Sequence, residues 1–553
     1  MSRRLVLGLA LGLTSCHGDD AYLGSNRTTY ECGGTNCKIE QGAPPDAGDW
    51  FFNPEAELGE APEIVYPLGG SVHPKDLRQL TVQFRHGRSD FEVYRIRFAA
   101  PEMGLVYDFF TPCLALADDG CRYLLKGNVW DDARDELAGK NAILTVTGST
   151  AKTGVMKSSE ALELKVTPSQ LENKGFYYWT TETVYTSSGS EQQTGIYRLP
   201  FGADRAEPFI MPNTLTNERQ CGACHSVSRD GSTIAFTAVD GSPDLREGVL
   251  VATGTARPDI EIVEPSADVT YDSSMMTLSS DGKRVLVAYD DRLVLRNSSV
   301  DPNFGPGEVI ATLMKPDLLD KSPYFPELSF DDSAVVLTLS DQPDSAIAVQ
   351  SGDIAVLEID LASNSFESPR IVVPGDDSEF HFYPTWSPDG NYIAFASAPR
   401  ELDEDGLVRK SYDQQKARLR LVHKDGGEIY ELTRATHAQN SWSTFPKFAP
   451  FQDGDLMYLT FNSKIDYGLV LDNTSRPDED KAAQLWMSAI DVGRLPADPS
   501  SAPMWLPFQD ATQSSHLGIW TNDVKCRLDV SGNGCPPGQE CDKATQTCKV
   551  QVK

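Results

Sequence analysis

Cys221, Cys224 and His225 stand in the order Cys-x-x-Cys-His within "CGACHSVSRDGSTIAFT". Two thiols at that spacing followed by an imidazole form the attachment sequence of c-type haem, with the sulfurs bonded to the porphyrin and the histidine on the iron. The expected cofactor is therefore covalent haem c, with Cys221 and Cys224 as the links and His225 as the axial ligand. The competing reading is a Cys221–Cys224 disulfide with an incidental His225. Candidates for the sixth iron position are Met275 and Met276, in register with His225 one repeat later, and His516 and His381 from other repeats. A thioether there raises the haem potential, and a second imidazole lowers it.

A second chemistry sits at the N-terminus. "MSRRLVLGLALGLTSC" carries Arg3 and Arg4, an apolar run from Leu5 and then Cys16. The run is shorter than the roughly 20 residues that span a bilayer and has the layout of a secretory signal. It resembles a bacterial lipoprotein signal, which implies lipidation of Cys16 at the membrane. With His17 following, the resemblance implies the outer membrane, facing the periplasm or the cell surface.

Export changes the reading of the other eight of eleven cysteines. In an oxidising compartment Cys32, Cys37, Cys113, Cys121, Cys526, Cys535, Cys541 and Cys548 are expected in disulfides, most simply Cys32 with Cys37 and Cys113 with Cys121. "DVSGNGCPPGQE", Asp529 to Glu540, has oxygen side chains at calcium-loop spacing, but Cys535-Pro536-Pro537 interrupts it. The favoured reading is a small disulfide-rich tail, with calcium as the alternative.

Composition bounds the partners. The 553 residues carry a formal net charge of −31, with 40% hydrophobic and 23% charged residues. That balance suits a soluble multidomain protein and excludes electrostatic binding to nucleic acid. The partners expected are a redox or envelope protein, with the membrane reached only through the lipid anchor.

The elements that must position Cys221 to His225 come from a repeat. "SRDGSTIAFT" at 228, "SSDGKRVLVAY" at 279, "SFDDSAVVLTLS" at 329, "SPDGNYIAFAS" at 387 and "APFQDGDLMYLTF" at 449 share a polar turn followed by a strand. Asp bonds its own backbone there and Gly accepts the positive φ of the turn. Three copies share an upstream strand, "YFPELS", "FYPTWS" and "TFPKFA". A period of about 50 to 64 residues points to propeller blades. These segments resemble the TolB-like β-propeller family, over about 176–523. The strands "FYYWTTE" and "GIYRLPF" and the late strand "HLGIWTND" assemble a sixth blade from both ends, so that no sheet edge is left open. Aligning "HSVSRDG" with "PTWSPDG" sets His225 where Pro384 stands, on the innermost strand at the mouth of the channel.

The expected fold is therefore all-β. It comprises a signal and lipobox at 1–16, a flexible tether at 17–60, an Ig-like β-sandwich at 61–170, a six-bladed TolB-like propeller at 171–523 and a Cys-rich tail at 524–553. The expected function is an envelope lipoprotein with haem c at the propeller mouth, in electron transfer or redox sensing. The alternative is a non-catalytic TolB-like propeller that binds protein or peptide partners. A hydrolase finds little support, because there is no Gly-x-Ser-x-Gly elbow.

Overall fold

The computed structural model describes residues 29–522 apart from short gaps, the longest at 52–59, 212–218, 241–246 and 254–274, together with the strands Gln539–Cys541 and Cys548–Val550. The chain is all-β, as its alternating patterns predict.

Two sheets form the N-terminal sandwich. The larger includes Val93–Ala100, Leu105–Thr111, Lys140–Ser149 and Leu162–Thr167, and the smaller Glu63–Tyr66, Leu80–Arg85, Gly120–Leu125 and Leu114–Ala115. Alternate residues of "LTVQF" and "YRIRF" face one another, so Val82, Phe84, Ile96 and Phe98 share a core with Trp130 and Leu137 of the helix Asn128–Leu137. Cys113 and Cys121 form the expected disulfide.

The segment expected as a tether is in part folded. Thr29–Cys32 and Thr35–Ile39 pair with each other, and the second runs parallel to Leu105–Thr111. Trp50 and Phe51 are buried with Val93 and Phe110, and the Arg95 guanidinium lies 5.1 Å over the Phe51 ring. Two aromatic rings anchor a stretch whose Gly, Pro and Asp content conceals them.

Six blades make the propeller, the first and sixth joined into one sheet where Thr194 pairs with Cys221. The first five start at the inner strands Arg219–Val227, Met275–Leu278, Ser322–Leu328, Glu379–Trp386 and Thr444–Asp453, each followed outward by strands that come later in the chain. The sixth has Ser514–Thr521 innermost and Gly175–Thr186, Gly189–Pro200 and Glu207–Ile210 outside it. The inner strands touch in cyclic order, the sixth meeting the first. Phe176 pairs with Trp520 and Thr181 with Ser514, so the end of the chain closes the ring as expected.

The repeated turn has one geometry in four blades. The Ser228, Ser279, Ser329 and Ser387 hydroxyls donate to Asp230, Asp281, Asp331 and Asp389 at 2.5–2.8 Å, and accept from the amide five residues on at 2.9–3.0 Å. Gly231, Gly282 and Gly390 take positive φ there, and Asp332 does so in the third blade. The copy at 449 differs, turning at Gly454 after a longer strand.

Candidate functional site

Five of the six inner strands carry a bulge at the same place. Cys224, Phe325, Tyr383, Phe445 and Leu517 have φ between 46° and 53°, a region that costs a non-glycine residue about 1 kcal/mol or more. The pairing register shifts at the bulge in all five of these blades. The turn aims one side chain per blade at the axis, and Met275 at the start of the second inner strand completes the set. All six belong to one hydrophobic cluster. Phe325, Tyr383 and Phe445 fill its centre, with centroids 4.3 Å apart for the first pair and 3.8 Å for the second. The result is a plug across the central channel, with Cys224 as its first-blade member.

Two residues further along each strand lies a ring that latches neighbouring blades. Ser226 Oγ accepts from the Leu278 amide at 3.1 Å, Thr277 Oγ1 from Leu328 at 3.2 Å, and Glu327 Oε1 from Trp386 at 3.1 Å. Glu327 also accepts from Thr385 Oγ1 at 2.7 Å and pairs with Lys447 across the channel. A small cavity of about 50 Å³ lies between these residues and Arg229, whose guanidinium sits 3.5 Å over the Phe330 ring. The repeat holds a signal for the ion pair, since "FPELS" and "FPKFA" carry Glu327 and Lys447 at one position. Read only as a strand signature, that position escapes notice.

His225 is 2% exposed, and neither ring nitrogen has a hydrogen-bond partner. Burial lowers its pKa to about 4; the Lys447 ammonium adds in the same direction, and the nearby Tyr177 backbone opposes it without reaching normal hydrogen-bond geometry. The imidazole is therefore neutral at pH 7, with its lone pair unprotonated.

The other expected site residues fall in different surroundings. Met275 is in the plug with Cys224, whereas Met276 packs with Ala235, Val285 and Val287. Phe380 and Phe382 join the plug cluster, so His381 between them turns to the opposite face, with Nδ1 2.8 Å from Ser397 Oγ and its ring edge-on to Phe395. His516 stacks on Trp179 at 4.3 Å, and its Nδ1 lies 2.8 Å from Asn462 Nδ2. Cys37 is buried and disulfide-bonded. Cys541 and Cys548 face each other in backbone register. Cys16, Cys526, Cys535, the side chains of Cys32, Cys221, Cys541 and Cys548, and most of the calcium-like loop lie outside the described residues.

No protein-family model matches the chain, and no curated protein does. Among solved structures it is similar to an oligogalacturonate lyase in complex with manganese, at 15% identity over 61% of this chain and 75% of that one, TM-score 0.32. It is similar to the hydrazine synthase of Kuenenia stuttgartiensis, at 13% identity over 56% and 89%, TM-score 0.30. A third is the periplasmic gluconolactonase PpgL of Pseudomonas aeruginosa, at 12% identity over 59% and 82%, TM-score 0.30. Likeness of this depth carries no statement about activity.

Proposed function

We propose that the protein is an envelope lipoprotein, anchored through Cys16, that carries covalent haem c on a TolB-like propeller and acts in electron transfer or redox sensing. One observation carries the reading: the buried His225 imidazole has two idle nitrogens. A buried polar group without a partner costs about 1–3 kcal/mol, which ligation would relieve. The donor set fits a haem, with Cys221 and Cys224 for the links and His225 for the iron.

When bound, the group supplies a one-electron couple. The chain's own residues do the rest. Burial keeps His225 in the neutral form that ligates iron, and the plug of Phe325, Tyr383 and Phe445 packs against the half-buried Cys224. The cavity beside Ser226 has room for a water and not for a macrocycle. Among the candidates for the sixth position, Met275 is the one that shares the plug with Cys224.

The test is maturation of the full chain, with its signal, in a host that has a cytochrome c assembly system. A reduced-minus-oxidised spectrum and a mass that includes covalent haem are expected, and both should be lost in His225→Ala. Protein without haem, beside a control cytochrome matured in the same cells, overturns the reading. It would leave a propeller that binds protein or peptide partners, with a structural Cys221–Cys224 disulfide.

A further inference from the structure

A second cavity lies far from the channel, where the sandwich meets the fifth blade. The joint is firmly built: the Trp505 amide donates to Tyr66 Oη at 2.9 Å, the Leu469 amide to Gln83 Oε1 at 2.6 Å, and Tyr467 stacks on Trp505 at 3.9 Å. Between the two walls is a cleft of about 860 Å³. Ligand sites run from about 300 to 1,000 Å³ and favour domain interfaces.

The charges in this cleft are uneven. Its acids are already satisfied: Glu40 is held by Lys38 and Tyr123 Oη, each at 2.5 Å, and Asp510 accepts from the amide and hydroxyl of Thr512. Arg122 and Lys126, from the sandwich wall, are exposed, and their side chains make no hydrogen bond or ion pair among the described residues. Two unpaired cations in one cleft are notable on a chain of net charge −31, where acids to pair with them are plentiful. Opposite them the propeller supplies apolar surface from Val470 and Phe508, and Leu114 stands 52% exposed at the lip.

We propose that this cleft is a binding site for a small organic anion with an apolar body, such as an aryl carboxylate or sulfonate. The anionic group pairs with Arg122 and Lys126, and the body lies against Val470 and Phe508. The site is independent of the haem reading, since none of its residues lies in the channel.

The test uses the full chain and 8-anilinonaphthalene-1-sulfonate, an aromatic body with one sulfonate, followed by fluorescence. Saturable binding is expected. It should weaken about tenfold or more in the Arg122→Gln, Lys126→Gln double variant, the scale of losing one or two charge-assisted bonds. Both replaced side chains are exposed, so the fold is kept. N-phenyl-1-naphthylamine, the same body without the sulfonate, should bind equally to wild type and double variant. Val470→Trp, which fills the cleft, should abolish sulfonate binding while Arg122 and Lys126 remain. Equal affinity of the sulfonate for wild type and double variant overturns the proposal, as does undiminished binding to Val470→Trp.

Discussion

Glu327 of the third blade and Lys447 of the fifth, 120 residues apart, form an ion pair across the propeller channel, with side chains 13% and 19% exposed. The same carboxylate binds the Trp386 amide and Thr385 hydroxyl of the fourth blade. One side chain thus ties three blades together.

Removing one partner of such a pair leaves a buried charge uncompensated. Lys447→Met should destabilise the protein by about 3 kcal/mol, and Glu327→Gln combined with Lys447→Met should recover part of the loss. Urea unfolding of the three proteins checks this. Additive losses would mean the two groups are not coupled.

Phe445 stacks on Tyr383 inside the plug. Phe445→Ala should cost about 3–5 kcal/mol, because a ring is lost from a packed axis that six strands hold apart. The readout is the thermal transition.

His73 in the sandwich bonds Ser71 Oγ through Nε2 at 2.8 Å, leaves Nδ1 without a partner, and has its pKa lowered by burial to about 4. Between pH 6.5 and 4 the unfolded chain takes up a proton that the folded chain refuses. This contribution is therefore complete above pH 6.5 and falls by up to about 3 kcal/mol as the pH drops to 4. His73→Gln should flatten that part of the profile, as seen in urea midpoints at pH 7 and pH 4.5.

Truncation after Asn522 should leave the propeller transition nearly unchanged, because Gln539–Cys541 and Cys548–Val550 pair only with each other among the described residues. Truncation before Ser514 removes the innermost strand of the sixth blade and should lower the melting temperature steeply. Equal melting temperatures would show that the ring does not depend on that strand.

The turns were readable in advance because their chemistry is local: Ser, Asp and Gly each act within five residues of one another. The closing strand was readable because "HLGIWTND" keeps the same spacing. The plug was not, since Cys, Met, Phe, Tyr, Phe and Leu share a place on the axis and no common chemistry. Met275 and Met276 are adjacent in sequence, yet one faces the axis and the other the neighbouring blade. His381 falls in the expected register, but strand alternation turns it away from the plug. The buried start of the sandwich escaped for a compositional reason, since Trp50 and Phe51 follow a run of Gly, Pro and Asp.

Closure by the last strand also imposes a timetable. The strand Gly175–Thr186 emerges early in synthesis and its partner Ser514–Thr521 comes last, so the sixth blade waits for nearly the whole propeller to be made. Until then the axis lacks Leu517, and Cys224 faces an unfinished wall. Any enzyme that modifies Cys224 therefore has its easiest access while the chain is young, and a mutation that slows the arrival of the final strand lengthens that interval.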